Sequence, residues 1–121
     1  MAYSEHQKER IERALSARTN NFEGRKFMGG YCFFIDDKMC VGIDIDKATA
    51  KDRLMARIGE EAMTEALTKT GCRPMDITGK PMKGFAFVDP EGFDMDADLE
   101  YWVQLSIDYN PFAKKSRKSA K

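Results

Sequence analysis

The chain has 121 residues, with 20 basic and 20 acidic side chains, three cysteines and one histidine; that is enough for one two-layer domain and too little for a second. No apolar run approaches the roughly 20 residues of a membrane helix, and the opening MAYSEHQKER lacks the apolar stretch of a signal peptide, so the expected location is cytoplasmic. The zero formal charge is a partition: Lys114, Lys115, Arg117, Lys118 and Lys121 are the only charged residues beyond 113, which leaves a body with 15 basic against 20 acidic residues, the opposite of the basic face a DNA-binding domain presents.

In chain order, Tyr3, Gln7, Ile11, Ala14 and Leu15 recur at helical spacing, which predicts a first helix over 4–18 lying on a sheet, with Glu9 and Arg13 as an i,i+4 pair on its outer surface. The period then becomes that of β structure, with strands at 25–28, 31–35 and 39–45 separated by the bend Gly29-Gly30 and the turn Asp36-Asp37-Lys38. The polar DKATAKD at 46–52 reads as an exposed connection. In the strand at 53–58, Leu54, Ala56 and Ile58 alternate with Arg53, Met55 and Arg57, so one face belongs to the core and the other is at least partly solvated.

A second helix is expected over 60–69, burying Ala62, Met63, Ala66 and Leu67 and ending at Gly71. Residues 71–88 follow as two β runs around Thr78-Gly79-Lys80-Pro81, a turn in which Gly79 takes a positive φ. A last helix begins near Asp96 under a crowd of acidic side chains, presents Leu99, Trp102, Val103, Ser106 and Ile107 on one face, and stops at Pro111. Trp102 sits mid-face and is expected as a core anchor. The pattern predicts an α+β domain of two layers, an antiparallel sheet with helices packed mainly on one face, spanning 1–112; residues 113–121 read as a disordered basic tail.

Chemistry is sparse. Cys32, Cys40 and Cys72 match no redox or zinc spacing and are expected as reduced thiols, with Cys32 and Cys40 near one another across a hairpin; no metal site and no cofactor motif is found. No nucleophile has an activating partner at a recognisable spacing, so the sequence points away from an enzyme. Arg57, Lys80 and Lys83 are the candidate contacts for an anion or a partner, and Asp76 is the candidate counter-charge that would make Arg57 merely structural. Nucleic-acid contact is expected only from the tail residues Lys114, Lys115, Arg117, Lys118 and Lys121, weak and indifferent to sequence, with a salt slope no steeper than about −4 to −5.

The runs RKFMGGYCFFIDDKMCVGI, RLMARIGEE, GCRPMDITGKPMKGFAFV and DLEYWVQLSIDYNP, in this order, resemble the N-terminal domain of the TfoX (Sxy) competence regulators, particularly its stand-alone copies. The resemblance implies a two-layer α+β fold and a non-catalytic protein-interaction module, an accessory in transcription regulation with another protein as partner. Longer relatives carry a second, C-terminal domain for which these 121 residues leave no room. The alternative reading is a binder of small anionic ligands, or an enzyme, that uses the region of Arg57 and Lys83.

Overall fold

The computed structural model describes residues 3–27, 29–77 and 80–113. Helix α1 (Glu5–Ser16) opens the chain and is followed by strands β1 (Glu23–Phe27), β2 (Gly30–Ile35), β3 (Lys38–Asp46) and β4 (Lys51–Arg57). Helix α2 (Glu60–Ala66), strands β5 (Cys72–Ile77) and β6 (Lys80–Val88) and helix α3 (Asp96–Tyr109) complete it. The strands form one antiparallel sheet in the order β1-β2-β3-β4-β6-β5. The architecture is α+β, as the alternation of periods predicts.

Local chemistry sets the element ends. The Ser4 hydroxyl accepts a hydrogen bond from the Gln7 amide at 3.2 Å and caps α1. Asp36 and Asp37, at φ 55° and 64°, form the two-residue β2–β3 turn, and aspartate tolerates this left-handed region better than most residues. The connection between β3 and β4 is shorter than the polar tract 46–52 suggests. Asp46 pairs with Lys51 at the end of the ladder, leaving only 47–50 as the turn.

Helices lie against one sheet face. Tyr3, Ile11 and Leu15 of the α1 region pack with Leu99, Trp102 and Val103 of α3 onto Phe33, Val41, Ile43, Leu54, Ala56 and Val88. Trp102 anchors this core as its position implied, and its indole N–H donates to the Gly92 carbonyl at 2.9 Å. Arg10 is also buried, which the apolar stripe of α1 concealed: it donates to the carbonyls of Phe93 and Asp94 and to the Asp96 carboxylate, tying α1 to the start of α3. The Glu9–Arg13 pair does not form, since Arg13 has no ion pair within 4.0 Å among the described residues. In α2 only Ala66 is fully buried, and Leu67, expected inside, lies beyond the helix end and is exposed.

The opposite face is partly solvated, as at Arg53, but it also carries apolar packing that the alternation did not show. Cys32, Phe34, Met39, Met55, Met75 and Phe87, all nearly inaccessible, form a second apolar cluster there. Guanidinium groups stack over its rings, Arg25 on Phe34 at 4.0 Å and Arg53 on Phe87 at 3.7 Å from the centroid. The sequence shows these as charges alternating with apolar residues. Their arginine stems and flat heads allow them to cover apolar surface while remaining wet at the edge.

Two faces also separate the cysteines: Cys40 belongs to the helix-side core and Cys32 to the second cluster, so the two thiols do not sit together. All three cysteines are free. Burial pushes Cys32 and Cys40 up to about 12, with Asp44 adding to the rise at Cys32, and pushes Cys72 up to about 11.

A groove where three sequence runs converge

β4 ends at Arg57, and the following Ile58 and Gly59 amides both donate to the carbonyl of Gly84 in β6, at 2.9 and 3.0 Å. Gly59 then starts α2 at φ 89°, and Gly84 stands at φ 80°, both in the region where a Cβ is strained. The two glycines touch, with the Cβ position of Gly84 lying 3.1 Å from the Gly59 Cα. On its other side Gly59 accommodates the ring of Tyr109, since a Cβ at residue 59 would fall 2.5 Å from that ring. A side chain at residue 59 would push against Tyr109 at the end of α3, and one at residue 84 against the backbone of Gly59 and Glu60. Three separated runs, RLMARIGEE, TGKPMKG and DLEYWVQLSIDYNP, therefore meet at one point.

An open groove of about 530 Å3 lies there, within the volume range of ligand and partner pockets. Its apolar surface comes from Ile58, Ala62, Leu105, Tyr109 and Phe112, the last 77 % exposed. Among the described residues Glu60, Glu61 and Asp108 line it against one cation, Lys83, so this described lining is acidic. Sequence reasoning reached Lys83 but missed Tyr109 and Phe112. An aromatic residue directly after a helix-stopping proline was the available signal, masked by the basic residues that follow it.

The candidate contacts do not form one cluster with Asp76. Arg57 stands opposite Phe85 in the β4–β6 ladder, with its guanidinium 5.1 Å from the Phe85 centroid. It forms no ion pair with Asp76, which is exposed and pairs with Pro81 in the β5–β6 ladder. The proposed structural role as half of an Arg57–Asp76 pair is thus incorrect: the strand order places the two residues on strands separated by β6. Lys83 is exposed and reaches the groove. Lys80 pairs with Ile77 along the backbone, while its side chain, the expected positive φ of Gly79 and the tail residues Lys114, Lys115, Arg117, Lys118 and Lys121 fall outside the described residues. Ala113, assigned to the tail by sequence, is buried and its amide bonds the Asn110 carbonyl.

The strongest charge cluster was not anticipated. Arg53 grips Asp44 with two hydrogen bonds of 3.1 and 2.9 Å and lies 3.5 Å from Asp46; Arg73 bonds Asp46 at 2.9 Å and grips Asp89 at 3.1 and 2.9 Å. The Ala48 amide above all, and then the two guanidinium groups, hold Asp46 below the usual carboxylate range against the opposing effect of burial. Every member is paired, so the cluster closes the ends of β3–β6 and leaves no free acid or base for chemistry. Among the described residues no group of three or more His, Cys, Asp or Glu is disposed to hold a metal ion.

Residues 14–109 match the family model of the TfoX N-terminal domain, which covers most of the chain. The chain belongs to the TfoX N-terminal domain family. No curated protein and no solved structure matches it. The TfoX N-terminal domain is not a known enzymatic family. The match spans the sheet, α2 and α3, and thus includes every residue of the groove except Phe112. No described helix of this TfoX N-terminal domain is long and apolar enough to cross a membrane.

Proposed function

We propose that this TfoX N-terminal domain is a non-catalytic protein-interaction module that docks a partner polypeptide in the groove between α2 and the end of α3. The partner presents an apolar or aromatic anchor residue flanked by basic side chains. The observation that carries this reading is the pairing, among the described residues, of an apolar floor and an exposed Phe112 with three carboxylates and one ammonium group. Apolar area supplies affinity in such a site, while charge complementarity selects the partner and speeds its arrival. The acidic body argues in the same direction, because it repels nucleic acid and attracts a basic segment. In the setting implied by the family, transcription regulation, the module acts by touching another protein instead of reading DNA.

The test is a selection of random 12-residue displayed peptides on the wild-type protein, with counter-selection on a Phe112→Ser variant. Phe112 is exposed, so its replacement spares the core. Enriched peptides are expected to carry Leu, Phe or Trp within two positions of Lys or Arg, and to lose binding to Phe112→Ser. Enrichment of acidic peptides, or of peptides indifferent to Phe112, contradicts the reading.

A further inference from the structure

Five arginines among the described residues are at least partly buried: Arg10, Arg18, Arg53, Arg57 and Arg73. Arg10 meets Asp96, Arg18 meets Glu100, Arg53 meets Asp44, and Arg73 meets both Asp46 and Asp89. Among the described residues Arg57 meets no carboxylate within 4.0 Å. Its one close partner among the described residues is the face of Phe85. A cation withdrawn from water without a counter-charge is costly, and proteins rarely keep one unless it is paired or used. Burial lowers the pKa of Arg57, and the acidic groups whose fields oppose that shift are the Tyr109 phenol and the Cys40 thiol, neither of them a carboxylate. A guanidinium nevertheless stays protonated throughout the physiological range, so the unbalanced charge persists.

The backbone gives this charge a neighbour. Arg57 pairs with Phe85, and the next residue in each direction, Ile58 and Gly84, share a hydrogen bond, which brings exposed Lys83 to the same end of the sheet. We propose that Arg57, standing over Phe85 and assisted by Lys83, is a binding site for a carboxylate-bearing ligand. The guanidinium fork takes both carboxylate oxygens in parallel, and the Phe85 ring backs the fork and offers an apolar wall to the body of the ligand. A carboxylate places two oxygens in one plane for the fork and can carry an apolar body onto the Phe85 ring, which inorganic phosphate lacks. The net negative body outside this site also disfavours the more highly charged anion. The carboxylate belongs either to a small molecule or to an acidic residue of a peptide.

Titrations of the full chain with benzoate, benzamide, inorganic phosphate and an N-acetylated, C-amidated peptide with one glutamate test this. The readouts are the Arg Nε–Hε resonances of the wild-type protein and the melting temperature. Benzoate is expected to shift one Arg Nε–Hε resonance saturably, with benzamide inert. Arg57→Lys, which keeps charge but loses the fork, is expected to weaken benzoate by about tenfold, and Arg57→Met to abolish the effect. A glutamyl peptide that saturates the same resonance at lower concentration than benzoate identifies a peptide as the source; the reverse identifies a small molecule. The proposal is overturned if no probe saturates an arginine resonance, if phosphate does and neither carboxylate does, or if benzoate binds Arg57→Lys as it binds wild type.

Discussion

Gly59 is where backbone conformation and function are most tightly joined. Its φ of 89° and ψ of 156° lie in a region almost closed to other residues, and the space its Cβ would need is filled by Tyr109. Gly59→Ala is therefore expected to destabilise the protein by about 1–3 kcal/mol, seen as a fall of several degrees in Tm. Adding Tyr109→Ala removes the clash but not the backbone strain, so the double variant should recover part of the loss. An unchanged Tm in Gly59→Ala contradicts this geometry. The buried thiols make a second residue-scale prediction. The Cys32 and Cys40 thiols have an ordinary value of 9.0 and rise to about 12 in the fold. Between these values the unfolded chain releases the proton and the folded chain does not. Their stabilisation is thus complete below pH 9 and declines as pH climbs toward 12, at a slope of roughly 1 kcal/mol per pH unit for each thiol. Denaturation curves from pH 8 to 11 should show a shallower decline in Cys32→Ala and Cys40→Ala than in wild type; parallel curves contradict the assigned burial.

Among the elements, the interlock of β3, β4, β5 and β6 by two arginines and three aspartates makes the clearest prediction. Asp46 is shared by Arg53 and Arg73 and also accepts the Ala48 amide at 2.9 Å. Asp46→Ala should cost about 2 kcal/mol, less than the loss of an isolated buried charge because Asp44 and Asp89 still hold the two guanidinium groups. Since its folded pKa is depressed, the contribution of Asp46 is present above its ordinary value of 3.8 and fades as pH falls below it. Acid unfolding should accordingly be less pH-dependent in Asp46→Asn. This element was illegible in sequence for a definite reason: DKATAKD is polar, and only the non-local order β3-β4-β6-β5 brings Arg73 to Asp46. Patterns carried within one segment were readable, as with Leu54 and Ala56 in β4 and Ile58 just after it, or Leu99, Trp102 and Val103 in α3. The second cluster was not, because Phe87 looks solvated until Arg53 and Arg73 from the neighbouring strands are laid over it. The groove was half legible: Arg57-Ile58-Gly59 and Lys83-Gly84 stood out as motifs, but their meeting with Tyr109 depends on the packing of α3 across the sheet.

At the scale of the whole molecule, an acidic body with its ion pairs mostly satisfied leaves two places of unspent binding capacity. One is the apolar groove with its acidic lining, and the other is Arg57 over Phe85 at the end of β4. Neither offers an activated nucleophile or a base with an orienting partner, which favours recognition over catalysis. The most direct test is a backbone amide resonance map of the 15N-labelled protein titrated with a peptide selected for an apolar anchor and basic flanks. The shifts are expected to concentrate at Ile58, Gly59, Ala62, Leu105, Tyr109 and Phe112, and to weaken as salt screens Glu60, Glu61 and Asp108. Saturable shifts centred elsewhere, with these six amides unmoved, would contradict the assignment of the groove as the docking site.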